Sequence, residues 1–166
     1  MKIKDIDSTM KKIAVIGGSR IQEKSAIYDL AYEVGRHIGS SGAALVCGGL
    51  SGVMEAACRG AREAGGLTIG ILPSTDENTA NDWVDIRIPT GLGYARNSLV
   101  VLSSHAVIAI DGAEGTLSEI GYALTFNKPL IGLNTWHIRP FKDTSSALIS
   151  YAETPQQAVE AALSCI

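Results

Sequence analysis

Three short stretches carry residues whose types and spacing could hold a negatively charged ligand: IGGSR at 16–20, CGGLSG at 47–52 and DGAEGTLSE at 111–119. Each follows an apolar run and precedes a segment of helical period, so each puts small residues where a strand gives way to a helix. Glycine there lets a ligand approach the backbone closely. The first amides of a helix lack intrahelical acceptors, so such a turn favours an anion, phosphate above all. The backbone candidates are Gly17, Gly18 and Ser19 in the first stretch, Gly48, Gly49 and Gly52 in the second, and Asp111, Gly112, Gly115 and Thr116 in the third. One such turn is equally well explained by the conformational freedom of glycine; three together point to a phosphate-bearing ligand. Neither a G-x-G-x-x-G fingerprint after the first strand nor a Walker motif is present.

Two side chains close to these turns could do chemistry. Glu119 follows the third stretch by one helical turn, and Arg96 lies in GLGYARNS at 91–98. Each also has a plain structural reading. Thr116-Leu117-Ser118-Glu119 fits the capping box, in which the threonine hydroxyl caps the helix and the glutamate reaches back to it. Arg96 fits a solvated helix charge, and Asp111 could orient a sugar hydroxyl or accept amides within its own turn. His37, His105 and His137 are far apart, with no second histidine or cysteine at metal-ligand spacing, so no metal site is predicted. Cys47 reads as a pocket-lining thiol or a small core residue, and Trp83 and Trp136 as base-stacking or sheet-covering rings.

Gathering such turns on one rim requires strands and helices in alternation. Apolar strands are predicted at 12–19, 44–49, 67–73, 85–89, 106–112 and 129–134. Between them, 24–40 carries Ile27, Leu30, Ala31, Val34 and Ile38 at helical spacing. Residues 52–63 form a helix of small residues, 93–104 reads as a helix, and 115–126 puts Leu117, Ile120, Gly121 and Leu124 on one face. The segment from Thr154 to the end is a helix with Thr154 as N-cap and Pro155 at its first position. A polar loop fills 74–83 and irregular structure 135–145. Continuous apolar strands need cover on both faces, and intervening helices require parallel pairing through right-handed crossovers. The expected fold is a doubly wound, mostly parallel, Rossmann-like α/β sheet in three α/β/α layers. Its ligand would sit beyond the carboxyl ends of the strands, where the strand order reverses.

A chain of 166 residues suits one domain, expected over 10–166 with a leader at 1–9. A hydrophobic share of 46% against 19% charged describes a globular protein rather than a disordered one. The net charge of -3 provides no basic footprint, so nucleic acid is not an expected partner. No apolar run reaches the ~18 residues of a membrane span, and the three cysteines form neither a disulfide framework nor a zinc spacing, which favours the cytoplasm.

In order along the chain, GGLSGVMEAACRGAREAGG (48–66), PTGLGYARN (89–97) and DGAEGTLSE (111–119) resemble the superfamily of the Lonely-guy cytokinin-activating phosphoribohydrolases and the molybdenum cofactor carrier proteins. The likeness runs from residue 13 to about 162 and is greatest to the short bacterial and archaeal branch akin to the cofactor carrier. The hydrolases carry P-G-G-x-G-T-x-x-E. Here Gly112, Gly115, Thr116 and Glu119 keep that pattern, while Asp111 replaces the Pro and Ala113 the second Gly. Their catalytic Arg, which follows a Met-His-Glu element, falls on Arg96, but the His and the Lys after the Arg are not kept, and Ser118 stands where the hydrolases have Glu. These departures weigh against hydrolysis more than against phosphate binding. The resemblance therefore implies, first, a binding protein for a phosphorylated, nucleotide-like molecule, either a nucleoside monophosphate or the molybdenum cofactor. Its alternative is hydrolysis of the N-glycosidic bond of a nucleoside 5'-monophosphate, with Glu119 stabilising charge or activating water, Arg96 positioning the substrate and the Gly115 and Thr116 amides holding phosphate. No further cofactor or metal is implied. A homo-oligomer, dimer or tetramer, is expected, and the small residues of 52–61 would allow close approach.

Overall fold

A computed structural model of the chain describes residues 10–139 and 149–166. The leader at 1–9 and the part of the irregular stretch from 140 onward lie outside the described residues. The strands are β1 (Lys12–Gly17), β2 (Ala44–Cys47), β3 (Thr68–Leu72), β4 (Ile86–Pro89), β5 (Ala106–Asp111), β6 (Leu130–Thr135) and β7 (Ile149–Ala152). The helices are α1 (Ala26–Ser40), α2 (Val53–Glu63), α3 (Asn97–Leu102), α4 (Glu114–Thr125) and α5 (Pro155–Ser164). All strand pairs are parallel, in the order β4-β3-β2-β1-β5-β6-β7. The chain thus builds outward from β1 to one edge, returns to β5 beside β1, and builds outward again. The strand order reverses between β1 and β5, where Gly17 pairs with Ile110.

Alternating side chains of the central strands enter two separate cores. Ile13 and Val15 of β1 pack with Val34 and Ile38 of α1, Ala57 of α2 and Ala158 of α5. Ala14 and Ile16 pack on the other face with Val100 of α3 and Ile120 of α4. Period-2 alternation across a sheet buried on both sides is why these strands read as unbroken apolar runs. The result is the three-layer, doubly wound α/β architecture expected from the sequence. Among the described residues, no helix is long and apolar enough to cross a membrane.

The small residues of α2 face α1 within the same chain. A Cβ on Gly60 would fall on the carbonyl of Tyr32, and one on Gly35 on the carbonyl of Ala57, so the two helices meet backbone to backbone. That stripe, read in the sequence as room for self-association, is spent inside the protein.

Beyond shifts of one or two residues at strand ends, three helix starts and one strand differ from expectation. The helix expected over 93–104 opens as a 3-10 turn, Gly93–Arg96, and is α-helical only over Asn97–Leu102. Gly91 and Gly93, at φ +67 and +55, bend the chain on entry. The helix expected from 115 starts at Glu114, because Asp111 (φ 51) and Gly112 (φ 116) complete the turn early, and Ala113 is the N-cap. α1 begins at Ala26, capped by Ser25, eight residues beyond Gly18, so the first glycine turn leads into a loop rather than directly into a helix. β7 had no strand signal in the sequence: four half-exposed edge residues become a strand by pairing with β6. α5 is as expected, with Thr154 Oγ1 accepting from Gln157 N at 3.2 Å and Pro155 in the first position.

Candidate functional site

The carboxyl ends of β1 and β5 enclose a cleft of about 370 Å³ at the point of strand reversal. One wall is the backbone of Gly17, Gly18 and Ser19 with Arg20 and Ile21; the other is Asp111 to Thr116. Leu50, Met54 and Tyr94 add apolar surface, and the inner wall is formed by Arg96, Asn97 and Glu119, all buried.

Of the helices that follow the three glycine turns, α4 contributes its first three residues, Glu114, Gly115 and Thr116, to the cleft. Its N-cap, Ala113, has no side chain able to accept, so the amides of Glu114, Gly115 and Thr116 keep the partial positive charge of a helix start. The first amide of α2, Val53 N, is instead satisfied by Gly18 O at 3.0 Å, and Ser51 Oγ donates to Ser19 O at 2.8 Å. These bonds lace the first two turns together and occupy the first amide of α2 with backbone. α1 is capped by the Ser25 hydroxyl, which accepts from Tyr28 N.

Arg96 is not a solvated helix charge. It is 6% exposed, with Nη1 donating to Asn97 Oδ1 at 2.6 Å and Nη2 to Gly48 O at 3.3 Å, while its buried Nε has no partner among the described residues. Burial pulls its pKa below the usual guanidinium range, though the group stays charged at any physiological pH. Glu119 does not reach back to cap its helix either. Thr116 is the third residue of α4 rather than its cap, and Glu119 lies a turn further in, with Oε1 3.7 Å from Arg96 Nη1. At 7% exposure, desolvation pushes Glu119 up to about 7, and the Arg96 charge offsets only part of that rise. A carboxyl buried in low dielectric beside a cleft, half protonated near neutrality, can give or take a proton there.

The structure therefore brings together Gly17, Gly18, Ser19, Arg96, Asp111, Gly112, Gly115, Thr116 and Glu119 from three separate segments. Gly48, Gly49 and Gly52 do not line the cleft. A Cβ on Gly48 would stand 2.8 Å from Arg96 Cζ, so this glycine is the seat of the guanidinium. Gly49 and Gly52 take φ +74 and +68 and support the wall from behind, Gly52 against Gly18 O. Cys47 lies behind the same turn in the core, its thiol accepting from Gly49 N and lying 3.4 Å from Cys58 Sγ. The hydrogen bond between them draws the Cys47 thiol down and pushes Cys58 up, with burial adding to the rise at Cys58. His105 Nδ1 accepts from Lys12 N, His137 stacks on Tyr151, and Trp83 lies under Arg59, all away from the cleft. Asn97, Tyr94 and Met54 line the cleft without having been singled out in the sequence. Only adjacency to Arg96 could have flagged Asn97, and nothing flagged the other two.

Residues 10–159, a span that holds the whole cleft and all but the last helical turns, match the SLOG cluster4 family. The chain belongs to that family. An uncharacterised protein of Archaeoglobus fulgidus is 44% identical over 124 residues, which cover 75% of this chain and 80% of the relative. A cytokinin riboside 5'-monophosphate phosphoribohydrolase of Mycobacterium tuberculosis is 33% identical over 119 residues, covering 66% of this chain and 64% of that enzyme. The molybdenum cofactor binding protein of Rippkaea orientalis superposes with a TM-score of 0.86 at 39% identity, covering 95% of this chain and 98% of that one. The chain is thus similar both to a molybdenum cofactor binding protein and to a phosphoribohydrolase.

Proposed function

We propose that this SLOG cluster4 protein binds a phosphorylated, nucleotide-like small molecule in the cleft between β1 and β5, in the manner of a molybdenum cofactor carrier. The observation that carries this reading is the uncapped start of α4 opening onto a cleft whose inner wall holds a buried arginine. Amides at a helix start and a guanidinium are the two donor types that hold phosphate oxygens with least reorganisation. The apolar faces of Ile21, Leu50, Met54 and Tyr94 suit a flat ring system attached to that phosphate. A pterin or purine monophosphate has both parts. Binding in this way needs no metal and no second cofactor, and the setting we assign it is a cytoplasmic homo-oligomer.

A second reading, hydrolysis of a nucleoside 5'-monophosphate, is favoured by Glu119. In that reaction the bond from C1' to the base nitrogen breaks, water adds to C1', and the base leaves with a proton. A carboxyl poised near 7 can supply that proton, and once ionised it can stabilise the positive charge that develops on the sugar. Calorimetry with AMP, other monophosphates and molybdenum cofactor, run beside an assay for free base, separates the readings. Binding without base release supports the carrier. Release that is lost in Glu119→Gln establishes the hydrolase. If no phosphorylated compound binds, both are refuted.

A further inference from the structure

A chain of hydrogen bonds on the inner wall links Arg96 to α4 through Asn97 and Ser118. Arg96 Nη1 donates to Asn97 Oδ1 at 2.6 Å but stands 3.7 Å from Glu119 Oε1. A guanidinium beside an ionised carboxylate normally closes to ~2.8 Å in a charge-assisted bond, often bidentate. Here the short contact goes to the amide instead. The orientation of that amide is not free, because Asn97 Nδ2 donates to Ser118 Oγ at 3.1 Å, and Ser118 Oγ donates to Gly115 O at 2.6 Å. Gly115 and Ser118 belong to α4, the same helix that carries Glu119. The other side of the guanidinium is anchored to Gly48 O. The groups that act on Glu119 or feel its charge are Arg96 and Cys47, and Asp111 and Glu114 line the same cleft.

We infer that Asn97 and Ser118 are positioning residues: oriented by Ser118, Asn97 holds the Arg96 guanidinium short of Glu119. The physical reason is that an amide oxygen satisfies an N–H without neutralising its charge. The cleft therefore keeps a cation and a carboxyl as two separate groups instead of one closed ion pair. Both stay available to a ligand, and in this respect the inference rests on the binding reading above. The relay itself is a property of the unliganded protein.

The test is a carbon-13 NMR titration of the Glu119 side-chain carboxyl in the unliganded full chain, comparing wild type, Asn97→Ala and Ser118→Ala, each also in an Arg96→Met background. Removing either end of the relay frees Nη1 to close on Glu119, so the proton affinity of Glu119 should fall about tenfold in both single variants. In the Arg96→Met background neither substitution should move it, since the effect acts through the guanidinium. An unchanged or increased proton affinity in the single variants overturns the relay, as does a shift of equal size without Arg96. Ser118 is exposed, so its alanine variant decides the matter even where Asn97→Ala does not fold. In calorimetry with AMP, the single variants should bind about tenfold more weakly, because Arg96 is withdrawn from the ligand. Absence of AMP binding in the wild type counts against the functional reading alone, because the titration is read without ligand.

Discussion

Glu119→Gln should stabilise this protein above neutral pH. Glu119 is buried, and its pKa is lifted from the usual 4.5 to about 7, chiefly by desolvation. A carboxyl whose folded pKa exceeds its unfolded one holds its proton more tightly in the native state. Its contribution to stability is therefore fully present below pH 4.5, is lost as pH rises through 7, and is flat beyond. At ~1.4 kcal/mol for each pH unit of that interval, the loss amounts to about 3 kcal/mol. Glutamine keeps the shape and cannot ionise, so the variant should show no such decline. Wild type and variant should be equally stable at pH 4. At pH 8 the variant should lead by about 3 kcal/mol, or roughly 6–12 °C in Tm for a domain of this size. Urea unfolding at unit pH steps from 4 to 8 measures both curves. A variant less stable than wild type at pH 8, or two curves of equal slope, would show that Arg96 holds Glu119 ionised in the native state and refute the desolvation argument.

Gly48→Ala places a methyl group on the Arg96 guanidinium. It should cost about 1–3 kcal/mol by overpacking and weaken AMP binding, checked by thermal unfolding and calorimetry. Gly35→Ala drives a Cβ into the Ala57 carbonyl across the α1–α2 contact and should be the more damaging of two helical substitutions. Its counterpart Gly121→Ala, with nothing within 4 Å on the exposed side of α4, should stabilise by about 0.5–1 kcal/mol in the same melts. With a thiol reagent, only the exposed Cys165 should react in the native protein, whereas Cys47 and Cys58 should react only once it is unfolded.

Local pattern was enough for the fold. The apolar runs at 12–17 and 106–111 are continuous because both sheet faces are covered, and the helical period of 26–40 marks the face that α1 buries. Thr154 and Pro155 mark the start of α5 through chemistry contained in two adjacent residues. β7 escaped notice because four half-exposed edge residues acquire strand character from β6 and not from their own periodicity.

The site divides along the same line. Residue types and order disclosed that glycine turns follow strands, and the resemblance to the phosphoribohydrolases and cofactor carriers joined Gly112, Gly115, Thr116, Glu119 and Arg96 into one pattern, since a motif is a property of sequence spacing. Tertiary structure decided how each turn meets the cleft. Gly18 O takes the first amide of α2 from a residue 35 positions away, while Ala113 leaves α4 uncapped. Tertiary structure also turned Arg96 from an apparent surface charge into a buried cation seated on Gly48, and Glu119 from an apparent cap into a desolvated carboxyl facing it. Burial and the orientation of a charge depend on groups that the fold brings together across the sheet, and no local spacing encodes them.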